Sequence, residues 1–91
     1  MIILRKLDAS SYNPTIKGTD SIVLGATSHT VTFTTNQTNT NYNLSVDLIT
    51  SDANPSVYSY VTSNKTVSGF TVFFSGEIDS NAFVLEWQVF I

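Results

Sequence analysis

Apolar and polar positions alternate with a period of two along most of this chain. Val31 and Phe33 alternate with Thr30, Thr32 and Thr34, and Leu44, Val46 and Leu48 alternate with Asn43, Ser45 and Asp47. Phe70, Val72 and Phe74 form a third set, and Phe83, Leu85, Trp87, Val89 and Ile91 a fourth. Period two belongs to a strand with one buried face, because successive side chains point to opposite sides. No window carries a 3.6-residue period, so no long helix is expected. Runs rich in Val, Ile, Thr, Phe and Tyr predict strands over Ile2–Leu7, Ser21–Gly25, His29–Thr34, Tyr42–Ile49, Val57–Thr62, Gly69–Ser75 and Phe83–Phe90.

Turn-forming residues separate these runs. They are Asn13-Pro14, Lys17 to Asp20, Gly25 to Ser28, Thr35 to Asn41, Ser51 to Ser56, Ser63 to Lys65, and Ser75-Gly76. Thr35 to Asn41 is expected to be a long hairpin loop. Short strands at this spacing predict an all-β fold, a small antiparallel β-sandwich of about six to seven strands. Its expected core is the four alternating sets together with Ile22 and Leu24. Residues 1–16 are expected to form an N-terminal strand or attachment arm, and residues 17–91 the sandwich.

The positions opposite the core are not uniformly polar. Val84, Glu86, Gln88 and Phe90 alternate with the core set of the last strand, and Phe73 lies opposite Phe70, Val72 and Phe74. Exposed apolar groups of this kind mark contacts between proteins. Phe73, Val84, Glu86, Gln88 and Phe90 are therefore the candidate oligomer interface.

Composition narrows the function. The 91 residues carry a net charge of −3, and only 12 % are charged, against about 25 % in an ordinary soluble domain. Thirteen Thr, twelve Ser and eight Asn supply the polar surface instead. Their short side chains lose little entropy on ordering, which suits extracellular proteins, adhesins and virion proteins better than cytosolic enzymes. Four basic residues argue against nucleic acid, whose phosphates need clustered Lys and Arg. The absence of cysteine excludes disulfide, thiol and Cys-zinc chemistry. No stretch approaches the ~20 apolar residues of a membrane helix, and Met1 to Lys6 does not read as a signal peptide. The chain is expected to be made in a cytoplasm and, if it works outside a cell, to leave by another route.

No catalytic set is identifiable. His29 is the only histidine, and no serine sits in a Gly-x-Ser-x-Gly elbow. Asp47, Asp52, Glu77, Asp79 and Glu86 share no motif, and Asp52-Ala53-Asn54 and Asp79-Ser80-Asn81 do not match a calcium loop. The expectation is a protein that is no enzyme and has no cofactor or metal. Sugar recognition pairs an aromatic face with short polar groups. Tyr58, Tyr60 and His29 are the candidate glycan or partner contacts.

The C-terminal third reads Asn64-Lys65-Thr66-Val67-Ser68-Gly69-Phe70-Thr71-Val72-Phe73-Phe74, then Phe83-Val84-Leu85-Glu86-Trp87-Gln88-Val89. It resembles the closing hairpin of the β-sandwich domains of bacteriophage tail fibres and virion decoration proteins, and is similar to the H-type lectin domain. The pair Val31-Thr32-Phe33 and Tyr42-Asn43-Leu44-Ser45-Val46 extends the resemblance to roughly Ile22 to Val89. It implies a homotrimer or hexamer packed on its β-faces with other virion proteins as partners. The expected function is a structural component of a phage head, tail fibre or capsid decoration. The alternative is a lectin-like adhesion module for host-surface glycans.

Overall fold

The computed structural model describes residues 16–90. The strand expected over Ile2–Leu7, the arm up to Thr15, and Ile91 lie outside them. Six strands follow in order: β1 (Ile16–Ser21), β2 (Ser28–Thr32), β3 (Asn43–Thr50), β4 (Tyr60–Thr66), β5 (Gly69–Phe74) and β6 (Phe83–Phe90). They form two three-stranded antiparallel sheets. The first has the order β1-β6-β3 and the second β2-β5-β4. The fold is the expected all-β sandwich.

The inner faces of the two sheets meet on aromatic rings. Trp87 of β6 lies 5.6 Å from Phe33 and 6.1 Å from Phe70, centroid to centroid. Leu85 and Val89 from the first sheet and Val31 and Val72 from the second complete the buried centre. Leu44, Val46 and Leu48 pack against it but stay half-buried. They sit on β3, which is an edge strand.

Several expectations change. Leu24, assigned to the core, is 53 % exposed in the turn where the Ala26 amide bonds the Val23 carbonyl. The strand expected over Ser21–Gly25 is instead β1, which opens on Ile16, and the turn expected at Lys17 to Asp20 lies inside it. The glycine there serves close approach, since a Cβ on Gly18 would stand 2.5 Å from the Trp87 ring. Ser63 to Lys65 is a β-bulge in β4, with Asn64 at φ 54°, and the true turn is Val67-Ser68. The strand expected over Val57–Thr62 accordingly begins only at Tyr60.

Two expected hairpins are arches between sheets. β2 and β3 lie in different sheets, so Thr35 to Asn41 crosses the sandwich. β5 and β6 also lie in different sheets, and their inward faces oppose each other across the core. The loop between them buries Ile78, whose amide bonds Ala26 and whose carbonyl accepts from Gly25, so it closes one end of the core. Among the described residues the single hairpin within a sheet joins β4 to β5.

That hairpin fixes Gly69. A Cβ there would fall 1.9 Å from the Val31 carbonyl oxygen of the neighbouring strand. Backbone cannot yield as a flexible side chain can. Gly69→Ala is expected to lower the unfolding free energy by about 1–3 kcal/mol, the range of core overpacking. Denaturant unfolding should show a lower midpoint with an unchanged slope.

Candidate functional site

The titratable and aromatic side chains outside the core mostly fasten one sheet to the other. On one side of the sandwich the edges are β1 and β2. Asp20 of β1 points inward, level with Leu85 of β6. Its Oδ2 accepts a 2.7 Å bond from His29 Nε2 of β2, and its Oδ1 accepts one of 3.2 Å from Trp87 Nε1. One half-buried carboxylate thus joins both sheets and orients the indole.

The opposite side is held by tyrosines. Tyr60 of β4 donates its hydroxyl to the Val46 carbonyl of β3 at 3.3 Å. Tyr42, just before β3, is buried, and its hydroxyl reaches the Thr66 carbonyl at 2.5 Å and the Gly69 carbonyl at 3.0 Å. Lys65 Nζ donates 2.7 Å to the Tyr42 carbonyl and lies 4.9 Å from its ring. Tyr58 stands edge-on to Phe83, donates to the Glu77 carbonyl and accepts from the Asp79 amide, both at 2.9 Å.

His29, Tyr58 and Tyr60 therefore do not converge. His29 is on the β1/β2 side, Tyr60 on the β3/β4 side, and Tyr58 is tied to the loop between β5 and β6. His29 Nε2 and both phenol hydroxyls are bonded within the chain. Asp20 and Tyr42 were missed as structural polar residues. Tyr42 shares the inward parity of Leu44, Val46 and Leu48, which was the available signal; Asp20 carried none, because its run reads as a turn. Among the described residues no group of three or more His, Cys, Asp or Glu gathers where a metal could sit.

The candidate interface residues divide between the two outer faces. On the second sheet Phe73 lies between Ser28 and Val61, and Thr71 between Thr30 and Ser63. Phe73 is 40 % exposed and Val61 61 %. With Ser59, Tyr60, Phe74 and Ser75 they line a shallow depression of about 280 Å³. On the first sheet Val84 lies between Ser21 and Ile49, Glu86 between Thr19 and Asp47, and Gln88 between Lys17 and Ser45. Phe90 lies opposite Asn43 and is half-buried. Asp47 and Glu86 are thus like charges directly opposite each other, which is unfavourable across a ladder. A polar depression of about 370 Å³ lies along Lys17, Thr19, Glu86 and Gln88.

Compared with known proteins, the chain matches no protein-family model and no curated protein sequence.

Two outcomes test the fasteners. Asp20→Ala leaves the Trp87 and His29 nitrogens unpaired and is expected to destabilise by about 1–3 kcal/mol. Asp20→Asn keeps an acceptor for Trp87 and should lose less. Unfolding followed by the fluorescence of the single tryptophan reads both. Burial pushes the Tyr42 phenol above its usual 10.0. A raised folded-state value means that Tyr42 supports the fold fully below pH 10 and that this support is lost as pH rises through the raised value. Wild-type stability should fall in that alkaline window. Tyr42→Phe should be weaker at neutral pH by about 1 kcal/mol and lack that share of the alkaline fall.

Proposed function

We propose that this protein is a structural component of a bacteriophage virion, of the head- or tail-fibre or capsid-decoration kind, that works by homotrimeric assembly and not by catalysis. One observation carries the assembly reading: Phe73 and Val61 lie side by side and exposed at the centre of an otherwise hydroxyl-rich sheet face. The second sheet's outer face brings no acidic or basic side chain into the rows containing Phe73 and Thr71. The first sheet's face carries the Asp47–Glu86 pair, which repels a like surface. The second face is therefore the one that packs about the three-fold axis. The low charge and the Thr, Ser and Asn surface support the same reading, and the viral assignment comes from the sequence resemblance. The glycan alternative draws no support from His29, Tyr58 and Tyr60, which stand apart.

Light scattering on the purified chain should give three chains, or six. Phe73→Ser with Val61→Ser alters outer-face positions and removes one aromatic–β-branched cross-strand pair, so the fold should survive with a loss of about 1–2 kcal/mol. The double variant should lose three-fold association. A monomeric wild type, or a double variant with undiminished mass, would overturn the face contact. Antibody raised against the chain should label intact virions; label confined to unassembled protein would overturn the viral placement.

A further inference from the structure

Among the described residues the two three-stranded sheets present four edge strands, and three of them are guarded. β1 carries Lys17, a charged residue of the kind that discourages strand addition. β3 has its Val46 carbonyl occupied by the Tyr60 hydroxyl and carries Asp47. β4 is broken by the bulge at Asn64 and carries Lys65. β2 has none of these devices. It reads Ser28-His29-Thr30-Val31-Thr32, pairs with β5 in unbroken register, and turns its one titratable side chain inward onto Asp20.

The hydrogen-bond parity of β2 fixes what its free side offers. The Phe33 amide bonds the Ser68 carbonyl and the Phe74 amide bonds the Thr27 carbonyl, so the odd-numbered residues face β5. In an antiparallel ladder the N–H and C=O of one residue point the same way. Those of Ser28, Thr30 and Thr32 therefore point away from the sheet, and none is bonded among the described residues.

We propose that β2 pairs with β2 of a second copy, antiparallel about a two-fold axis through Thr30. This register sets Thr30 against Thr30 and Ser28 against Thr32, so every outward group meets an outward group. A register shifted by one residue would not achieve this. The side chains match as well. Thr30 and Thr71 hydroxyls already lie 3.1 Å apart. The pairing continues that row as Ser63-Thr71-Thr30 facing Thr30-Thr71-Ser63, and Thr–Thr and Thr–Ser pairs are favourable cross-strand neighbours. No like charges meet across the axis. The product is a six-stranded sheet in the order β4-β5-β2-β2-β5-β4. The proposal rests on the face contact of the previous subsection only for its stoichiometry: a two-fold edge added to a three-fold face gives six chains.

Thr30→Cys tests the register directly. Hydrogen-bonded antiparallel partners have Cα atoms about 5.5 Å apart, within the ~4.4–6.8 Å that a disulfide spans. The chain has no cysteine of its own, so any disulfide formed joins two copies. In the Phe73→Ser, Val61→Ser background, which lacks the face contact, mild oxidation at low protein concentration should convert Thr30→Cys to a covalent dimer, while Thr19→Cys on the β1 edge should stay single. Thr30→Pro removes an outward donor and spares the ladder to β5, so it should fold normally and halve the wild-type mass. Failure of Thr30→Cys to cross-link, or an unchanged mass for Thr30→Pro, would overturn the edge pairing. So would exchange-protected Thr30 and Thr32 amides in a wild type of one or three chains, because the edge would then be covered without a two-fold partner. The two contacts separate cleanly. Loss of the edge takes six chains to three; loss of the face takes six to two.

Discussion

The sandwich depends on the seat of one indole. Trp87 lies against Gly18 on the neighbouring strand, touches Phe33 and Phe70 from the facing sheet, and is bonded through its ring nitrogen to Asp20. The same carboxylate binds His29, so the group that orients the ring also ties the sheets together at their edge. A three-stranded sheet is narrow and leaves much of its inner face near water. Packing alone closes such a core poorly, and the polar fasteners on both sides compensate. Asp20 and His29 close one side, and Tyr60 and Tyr42 close the other. That use of polar groups explains why His29, Tyr58 and Tyr60 do not converge: each has a structural partner on a different side or end of the molecule.

The period-two pattern was legible wherever a strand buried large apolar residues. The bounds of β6 and the inward sets on β2, β5 and β6 follow from it directly. It failed on β1, where the inward residues are Ile16, Gly18 and Asp20. Only one of them is a large apolar residue. Gly18 is empty because the Trp87 ring needs the space, and Asp20 is polar because the indole N–H needs an acceptor. Neither reason exists until β6 is placed beside β1. The same holds at Asn64, where a residue suited to positive φ forms a bulge in the strand and not its end. Local chemistry specified the backbone conformation there, while pairing with β5 decided its role. The hairpins expected across Thr35 to Asn41 and across Ser75 to Ala82 failed differently. Alternation marks which face is inward but does not say which sheet a strand joins. Ile78, isolated among polar residues, was the sign that the second of these loops runs over an end of the core.

The interface candidates were legible as a set but not as a place. Alternation put Phe73, Val84 and Phe90 opposite their own strands' cores, which is correct strand by strand. Because β5 and β6 lie in different sheets, Phe73 faces away from Val84 and Phe90. Two outer faces then compete for any contact, and charge decides between them. Asp47 and Glu86 stand against each other at the middle of the first sheet's face, with Lys17 one row away beside Gln88. Bringing that surface against a copy of itself would crowd four carboxylates into a drying contact, and burying unpaired charge is strongly unfavourable. The second sheet offers Phe73 and Val61 bordered by hydroxyls, which can be desolvated at little cost once they bond one another.

The distribution of edge protection points the same way. An unguarded strand edge is an aggregation hazard in a protein that works alone, and natural β-sheet proteins guard such edges. Here Lys17, the Tyr60 hydroxyl and the bulge at Asn64 each guard one of three edges, so such devices are available to this sequence. β2 is short, regular and uncharged on its free side, and it belongs to the sheet whose outer face is free of the acidic pair. Face and edge are thus both prepared on the second sheet, whereas the first sheet is repellent on its face and guarded on both edges. In the proposed assembly the first sheet, with Lys17, Glu86, Gln88 and Asp47, is the surface turned to solvent or to a different partner. In the proposed hexamer this asymmetry would supply a defined inside and outside, which a closed oligomer requires and a filament of stacked sandwiches would not.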